Sequence, residues 1–171
     1  MKTRFVLLLA GSIVLLFVNP ASAQSRDPFF TDFSANYDIV YHEPDSTSHA
    51  GAHFDLASTF KRDVPFIGPV GEVGFNHFDG GTVADVMGGV RIRANTDYYV
   101  LPFGQALVGL YHCGVCNIND FALQLAGGVD FRTGYPKLRV RVQFDYRRVF
   151  DSVASFNGER LSAGIVLPLN R

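Results

Sequence analysis

Cys113-Gly-Val-Cys116, with His112 just before it, is the part of this sequence best equipped for local chemistry. Two thiols at this spacing suit either a local disulfide or half of a tetrahedral metal site, and the metal would need them as thiolates. His42, His49, His77 and His112 fall near the same ends of the periodic segments described below, and His53 lies slightly deeper. A histidine rim that binds a soft divalent ion is one reading; polar side chains gathering at a wet rim is the other. A nucleophile with a positioned base is harder to find. Neither H-x-S nor G-x-S-x-G occurs, and His42, Glu43 and Ser46 are neighbours only along the chain.

A second set of reactive groups is spread more widely. In Lys137-Leu-Arg-Val-Arg-Val-Gln-Phe-Asp-Tyr-Arg147 a charged or amide side chain occupies every second position between large apolar ones. On a strand this puts Leu138, Val140, Val142, Phe144 and Tyr146 on one face and Arg139, Arg141, Gln143, Asp145 and Arg147 on the other. The same alternation separates Phe33, Ala35, Tyr37 and Ile39 from Ser34, Asn36 and Asp38, and Phe54 and Leu56 from His53 and Asp55. Near the end of the chain it separates Leu161, Ala163, Ile165 and Leu167 from Arg160, Ser162 and Gly164. Collected, the polar face offers Asp38, Asp55, Glu72, Asp85, Asp130 and Asp145 beside Arg91, Arg93, Arg139, Arg141, Arg147 and Arg160. Such charges are costly when buried singly, so they are expected to pair, with Asp130 meeting Arg139 or Arg141 across an intervening turn.

The elements that would hold these groups are strands. Period-two runs cover about 32–42, 48–61, 64–78, 82–94, 98–112, 119–132, 137–149 and 159–169, and turn-forming clusters such as KRDVP, ANTD, TGYP and CGVCNIND separate them. An antiparallel barrel of eight strands follows, and it can close in two ways. A secreted lipocalin-like barrel would line its interior with the apolar face and bind an apolar ligand. Phe, Tyr, Leu, Val and Ile on nearly every strand exceed what eight strands enclose, so the inverted form is expected, with apolar residues against lipid and charges in the lumen. Eight strands leave an interior that side chains fill, which argues against a wide pore.

The start of the chain fits an exported protein. Met1-Lys-Thr-Arg4 precedes an uncharged run from Phe5 to Val18, and Ala21-Ser-Ala23 supplies a cleavage site, so residues 1–23 read as a signal peptide. Residues 24–31 are then a lead-in and 32–171 a single barrel domain. Removing Lys2 and Arg4 from the 15 basic residues leaves 13 against 16 acidic, which gives no sign of nucleic-acid binding. Export also favours a Cys113–Cys116 disulfide.

Val86-Met-Gly-Gly-Val-Arg-Ile-Arg93, Leu101-Pro-Phe-Gly-Gln-Ala-Leu-Val-Gly-Leu110, Phe121-Ala-Leu-Gln-Leu-Ala-Gly-Gly-Val-Asp130 and Leu161-Ser-Ala-Gly-Ile-Val166 lie in this order. They resemble the G-G-x-R, P-F-x-x-A-L-x-G, A-x-x-x-G-G-G-x-D and S-x-G-I-V strands of small outer-membrane β-barrels. These are the OmpA/OmpX-like eight-stranded kind within the porin-like outer-membrane barrel domain family. The resemblance implies an all-β, up-and-down transmembrane barrel in the bacterial outer membrane, with membrane lipid and the barrel-assembly machinery as partners. It implies no cofactor, and a structural or loop-mediated role rather than catalysis. A lipid-modifying outer-membrane enzyme is the alternative within that family. Where those barrels end on an aromatic residue, this chain ends Leu167-Pro-Leu-Asn-Arg171.

Overall fold

A computed structural model describes residues 29–42, 47–60, 66–78, 81–94, 99–114, 118–135, 137–150 and 155–169. The segment read as a signal peptide, Cys116, Tyr98 and the side chains of Phe29 and His42 lie outside the described residues. The eight strands are β1 (Phe29–His42), β2 (Thr47–Phe60), β3 (Phe66–Phe78), β4 (Gly81–Arg93), β5 (Val100–Cys113), β6 (Ile118–Arg132), β7 (Arg139–Phe150) and β8 (Phe156–Pro168). Each pairs antiparallel with the next, and β8 pairs with β1 to close the barrel. β1 begins at Phe29, so three residues expected in the lead-in are strand, opposite Phe60, Thr59 and Ser58.

Alternation decides which face each residue occupies. Along β7 the odd positions Arg139, Arg141, Gln143, Asp145 and Arg147 are buried, whereas Val140, Val142, Arg148 and Phe150 are exposed. The outer wall carries Tyr37, Ile39, Leu56, Ile67, Val86, Leu110, Leu125 and Leu161, each with about half or more of its surface exposed. No helix among the described residues is long and apolar enough to cross a membrane, which has no bearing on strands.

β5 departs from the expected contrast between an apolar and a polar face. Its inward residues include Leu101, Phe103, Leu107 and Tyr111, all buried. Leu107 and Tyr111 join Val83, Met87, Ala122 and Val149 in an apolar cluster inside the barrel. Phe103 has room because its register partner on β6 is Gly128. A Cβ on Gly128 would sit 2.7 Å from both the Phe103 ring and the Val142 carbonyl oxygen, so only glycine fits beneath that ring. The β2–β3 ladder lapses where Ser58 and Thr59 face Gly68 and Pro69, since proline has no N–H to offer.

The turns sort the two ends. One end carries both strand termini of the β1–β8 seam together with the β2–β3, β4–β5 and β6–β7 connections; the other carries the β1–β2, β3–β4, β5–β6 and β7–β8 connections. These are called the terminus end and the loop end. The β6–β7 turn is tied by Thr133, whose hydroxyl donates to the Leu138 carbonyl at 2.7 Å and accepts from the Tyr135 amide at 3.2 Å.

Candidate functional site

Among the described residues, seven carboxylates and six guanidiniums occupy the interior. At the terminus end Asp32 of β1 accepts from Arg93 of β4, and Arg139 of β7 lies 3.7 Å away. Both arginines sit over the Phe30 ring, at 4.9 and 4.7 Å from its centroid. Phe30 therefore faces the lumen, with the parity of Asp32.

The next layer is the most tightly bonded. Asp130 of β6 receives Arg141 Nε at 2.7 Å and Nη2 at 3.1 Å, and also Arg93 Nη2 at 2.5 Å. Arg141 Nη1 reaches across the barrel to Asp55 of β2 at 2.6 Å and to the Ser34 hydroxyl at 3.2 Å. Asp55 also accepts from Arg91 Nη1 at 3.1 Å, and Arg91 Nε donates to Gln105 at 2.8 Å. Phe103 lies against both guanidiniums, 4.8 Å from Arg91 and 4.4 Å from Arg141. Of the two partners the sequence suggests for Asp130, Arg141 is the one it meets; Arg139 turns instead to Asp32.

Toward the loop end the network continues through Glu72 of β3. This carboxylate accepts from Arg160 Nη2 at 2.6 Å and from the amide nitrogens of Gln124 at 3.2 Å and Gln105 at 3.4 Å. Arg160 Nε donates to Asp145 at 2.6 Å. Arg147 forms a two-pronged bond with Asp85, at 2.7 and 3.1 Å, and donates to the Gln124 side-chain oxygen Oε1 at 2.9 Å. Asp38, 3.6 Å from Arg160 Nη1, has the His53 imidazole Nδ1 at 2.7 Å. Every one of the charged residues collected from the sequence lies in this interior. Asp32, Gln105 and Gln124 complete it and were not singled out, whereas His53 and Gln143 already stood on the polar faces of their strands without being counted with the charges. Asp32 and His53 had the correct parity for it, one pleat beyond the residues counted in β1 and between Gly51 and Asp55 in β2.

Such an interior holds together because arginines such as Arg141 and Arg160 spread their donors over more than one strand, Arg141 to Asp130, Asp55 and Ser34 and Arg160 to Asp145 and Glu72, which offsets the cost of taking the charges out of water. Near the loop end a crevice lined by Val40, Asn76, Tyr111, Val149 and Phe156 has a volume of about 20 Å³, room for about one water molecule. Asn76 Oδ1 is buried there without a hydrogen-bond partner.

The histidines do not converge. His49 has the inward parity of Val40, its register partner, whereas His77 and His112 lie exposed on the outer face. His77 Nδ1 is 3.5 Å from Thr82, and His112 Nδ1 is 2.9 Å from the Asn119 side-chain oxygen. Strand alternation thus divides residues that a rim count had grouped. Among the described residues no cluster of three or more His, Cys, Asp or Glu side chains could hold a metal ion. Cys113 is disulfide-bonded, which removes it as a thiolate ligand. His53 and Asp38 form a histidine–carboxylate pair, but the far nitrogen of His53 has no hydrogen-bond partner, so no hydroxyl or thiol completes a catalytic relay there.

No family model matches the chain, and no curated protein is similar to it. Solved structures do share its architecture. Neisserial surface protein A is 13% identical, with a TM-score of 0.55 over 84% of this chain and 99% of the other. The outer membrane enzyme PagL is 12% identical, with a TM-score of 0.53 over 80% of this chain and 99% of the other. At such low identity the likeness concerns the fold: this chain is an eight-stranded closed barrel of the kind found in small outer-membrane proteins. One of the two neighbours being an enzyme, the fold does not choose between catalysis and other work.

Proposed function

We propose that this chain, having the fold of the small outer-membrane barrels, is itself an integral outer-membrane protein. Its lumen is a structural rivet, and its contacts with other molecules are made by the loop end and the outer wall. The observation that carries this reading is the inversion of the barrel: apolar side chains exposed outside, carboxylates and guanidiniums buried inside. A water-soluble barrel with that wall would expose far more contiguous apolar surface than a monomer tolerates. In hydrocarbon the same wall is favourable, and closure leaves no unpaired strand edge. The charged filling also argues against the lipocalin-like alternative, which would line its interior with the apolar face. The reading places the loop end outside the cell, following the long external loops and short inner turns of such barrels.

The test is a comparison of unheated and boiled protein on SDS gels after refolding with and without detergent. A compact, fast-migrating band that requires detergent and disappears on boiling is expected. A fold that forms equally well in lipid-free buffer would sink the membrane reading.

A further inference from the structure

The outer wall contains one conspicuous breach of its apolar character. Among the described strand residues with outward parity, Arg148 of β7 and Glu159 of β8 are the only Asp, Glu, Lys or Arg. They are close neighbours on the same face: Arg148 is opposite Asn157, and Glu159, one pleat nearer the terminus end, is opposite Tyr146 on β7 and Tyr41 on β1. Arg148 is exposed, with its guanidinium 5.5 Å from the Phe150 ring centroid. Neither charge makes a hydrogen bond or ion pair with another side chain among the described residues, in contrast to the charges bonded across the interior, such as Arg91 to Asp55 and Arg160 to Asp145.

Depth makes the breach intelligible. A tilted strand climbs about 2.5 Å along the barrel axis per residue, which puts Arg148 about 20 Å above Val140, near the upper edge of an apolar belt about 25 Å tall. A guanidinium is costly at the midplane and tolerable at that edge, where anionic headgroups begin. The chemistry of the patch is mixed: a cation suited to phosphate, a carboxylate and an amide suited to hydroxyl groups, and two phenols with apolar rings. An anionic phospholipid headgroup would use the cation but leave the carboxylate facing a like charge, and a zwitterionic one offers no row of hydroxyls for the amide and the phenols. A phosphorylated sugar would use both.

We propose that Arg148, Glu159, Asn157, Tyr41 and Tyr146 form a docking surface for the phosphorylated sugar headgroup of a glycolipid in the leaflet at the loop end. Arg148 takes the phosphate, and Glu159 and Asn157 accept hydrogen bonds from sugar hydroxyls. The proposal rests on the membrane reading above.

Diphosphoryl lipid A, titrated into the folded protein in neutral detergent micelles and counted by native mass spectrometry, tests it. Arg148→Gln and Glu159→Gln are each expected to weaken retention about five- to tenfold, and Arg148→Lys less than Arg148→Gln. Arg132→Gln, which removes a charge at the terminus end, should leave retention unchanged. Neither charge holds a hydrogen bond or ion pair to another side chain among the described residues, so the variants should keep the fast-migrating gel band. Equal retention by the wild type and Arg148→Gln overturns the proposal. So does an equal loss in Arg132→Gln, which would mean attraction to net charge. Retention of phosphatidylglycerol as strong as that of lipid A removes the sugar from the argument, and displacement by equimolar inorganic phosphate marks a free-anion site; either result overturns it. Absence of a detergent-dependent band in any form brings down the membrane reading, and this proposal with it.

Discussion

Asp130 shows how much rests on single side chains in this interior. It accepts three bonds from two arginines that belong to different strands, Arg93 on β4 and Arg141 on β7. Asp130→Ala leaves both guanidiniums buried and short of an acceptor, and is expected to cost about 3–5 kcal/mol, read as a shift in the urea midpoint of the barrel in detergent. A variant as stable as the wild type would show that the network adapts around the gap. His53 belongs to the same interior: its imidazole Nδ1 faces Asp38 at 2.7 Å.

At the scale of the element, neighbouring glycines on β6 have opposite meanings. Gly128 faces inward beneath the Phe103 ring and close to the Val142 carbonyl, whereas a Cβ on Gly127 would meet its nearest atom at an ordinary 3.9 Å. Gly128→Ala is therefore expected to destabilise by about 1–3 kcal/mol through overpacking, while Gly127→Ala stays within about 0.5 kcal/mol of the wild type. Parallel denaturant curves on the two variants check both. The strands themselves were legible because alternation is a local signal: all eight appear within about three residues of where the pattern places them. The polar face of β7 was legible for the same reason. What local pattern could not supply was the partner across the barrel, such as Asp55 for Arg141, because closure brings together residues far apart in the chain. Nor could it supply β5, where both faces are apolar and Phe103 reads as wall until the ring is seen over Gly128. The same alternation separates the described rim histidines, His49 having inward parity and His77 and His112 outward.

For the molecule as a whole, inside and outside are exchanged relative to a water-soluble protein, and substitutions should follow that exchange. Phe144→Arg, about 10 Å above Val140 and near mid-height on the outer wall, is expected to cost about 2–4 kcal/mol in bilayers, measured by reversible unfolding from vesicles. A negligible cost would mean that this wall does not meet hydrocarbon. Closure of the barrel also joins the first strand to the last, Asp32 opposite Pro168, and this bears on how errors are caught during assembly. A slip of β7 by one residue would turn Arg139, Arg141 and Arg147 toward the bilayer and Val140 and Val142 toward their former acceptors. A misregistered chain would thus be rejected by the lipid itself as it tried to insert, so the alternation that fills the lumen also proofreads its own construction.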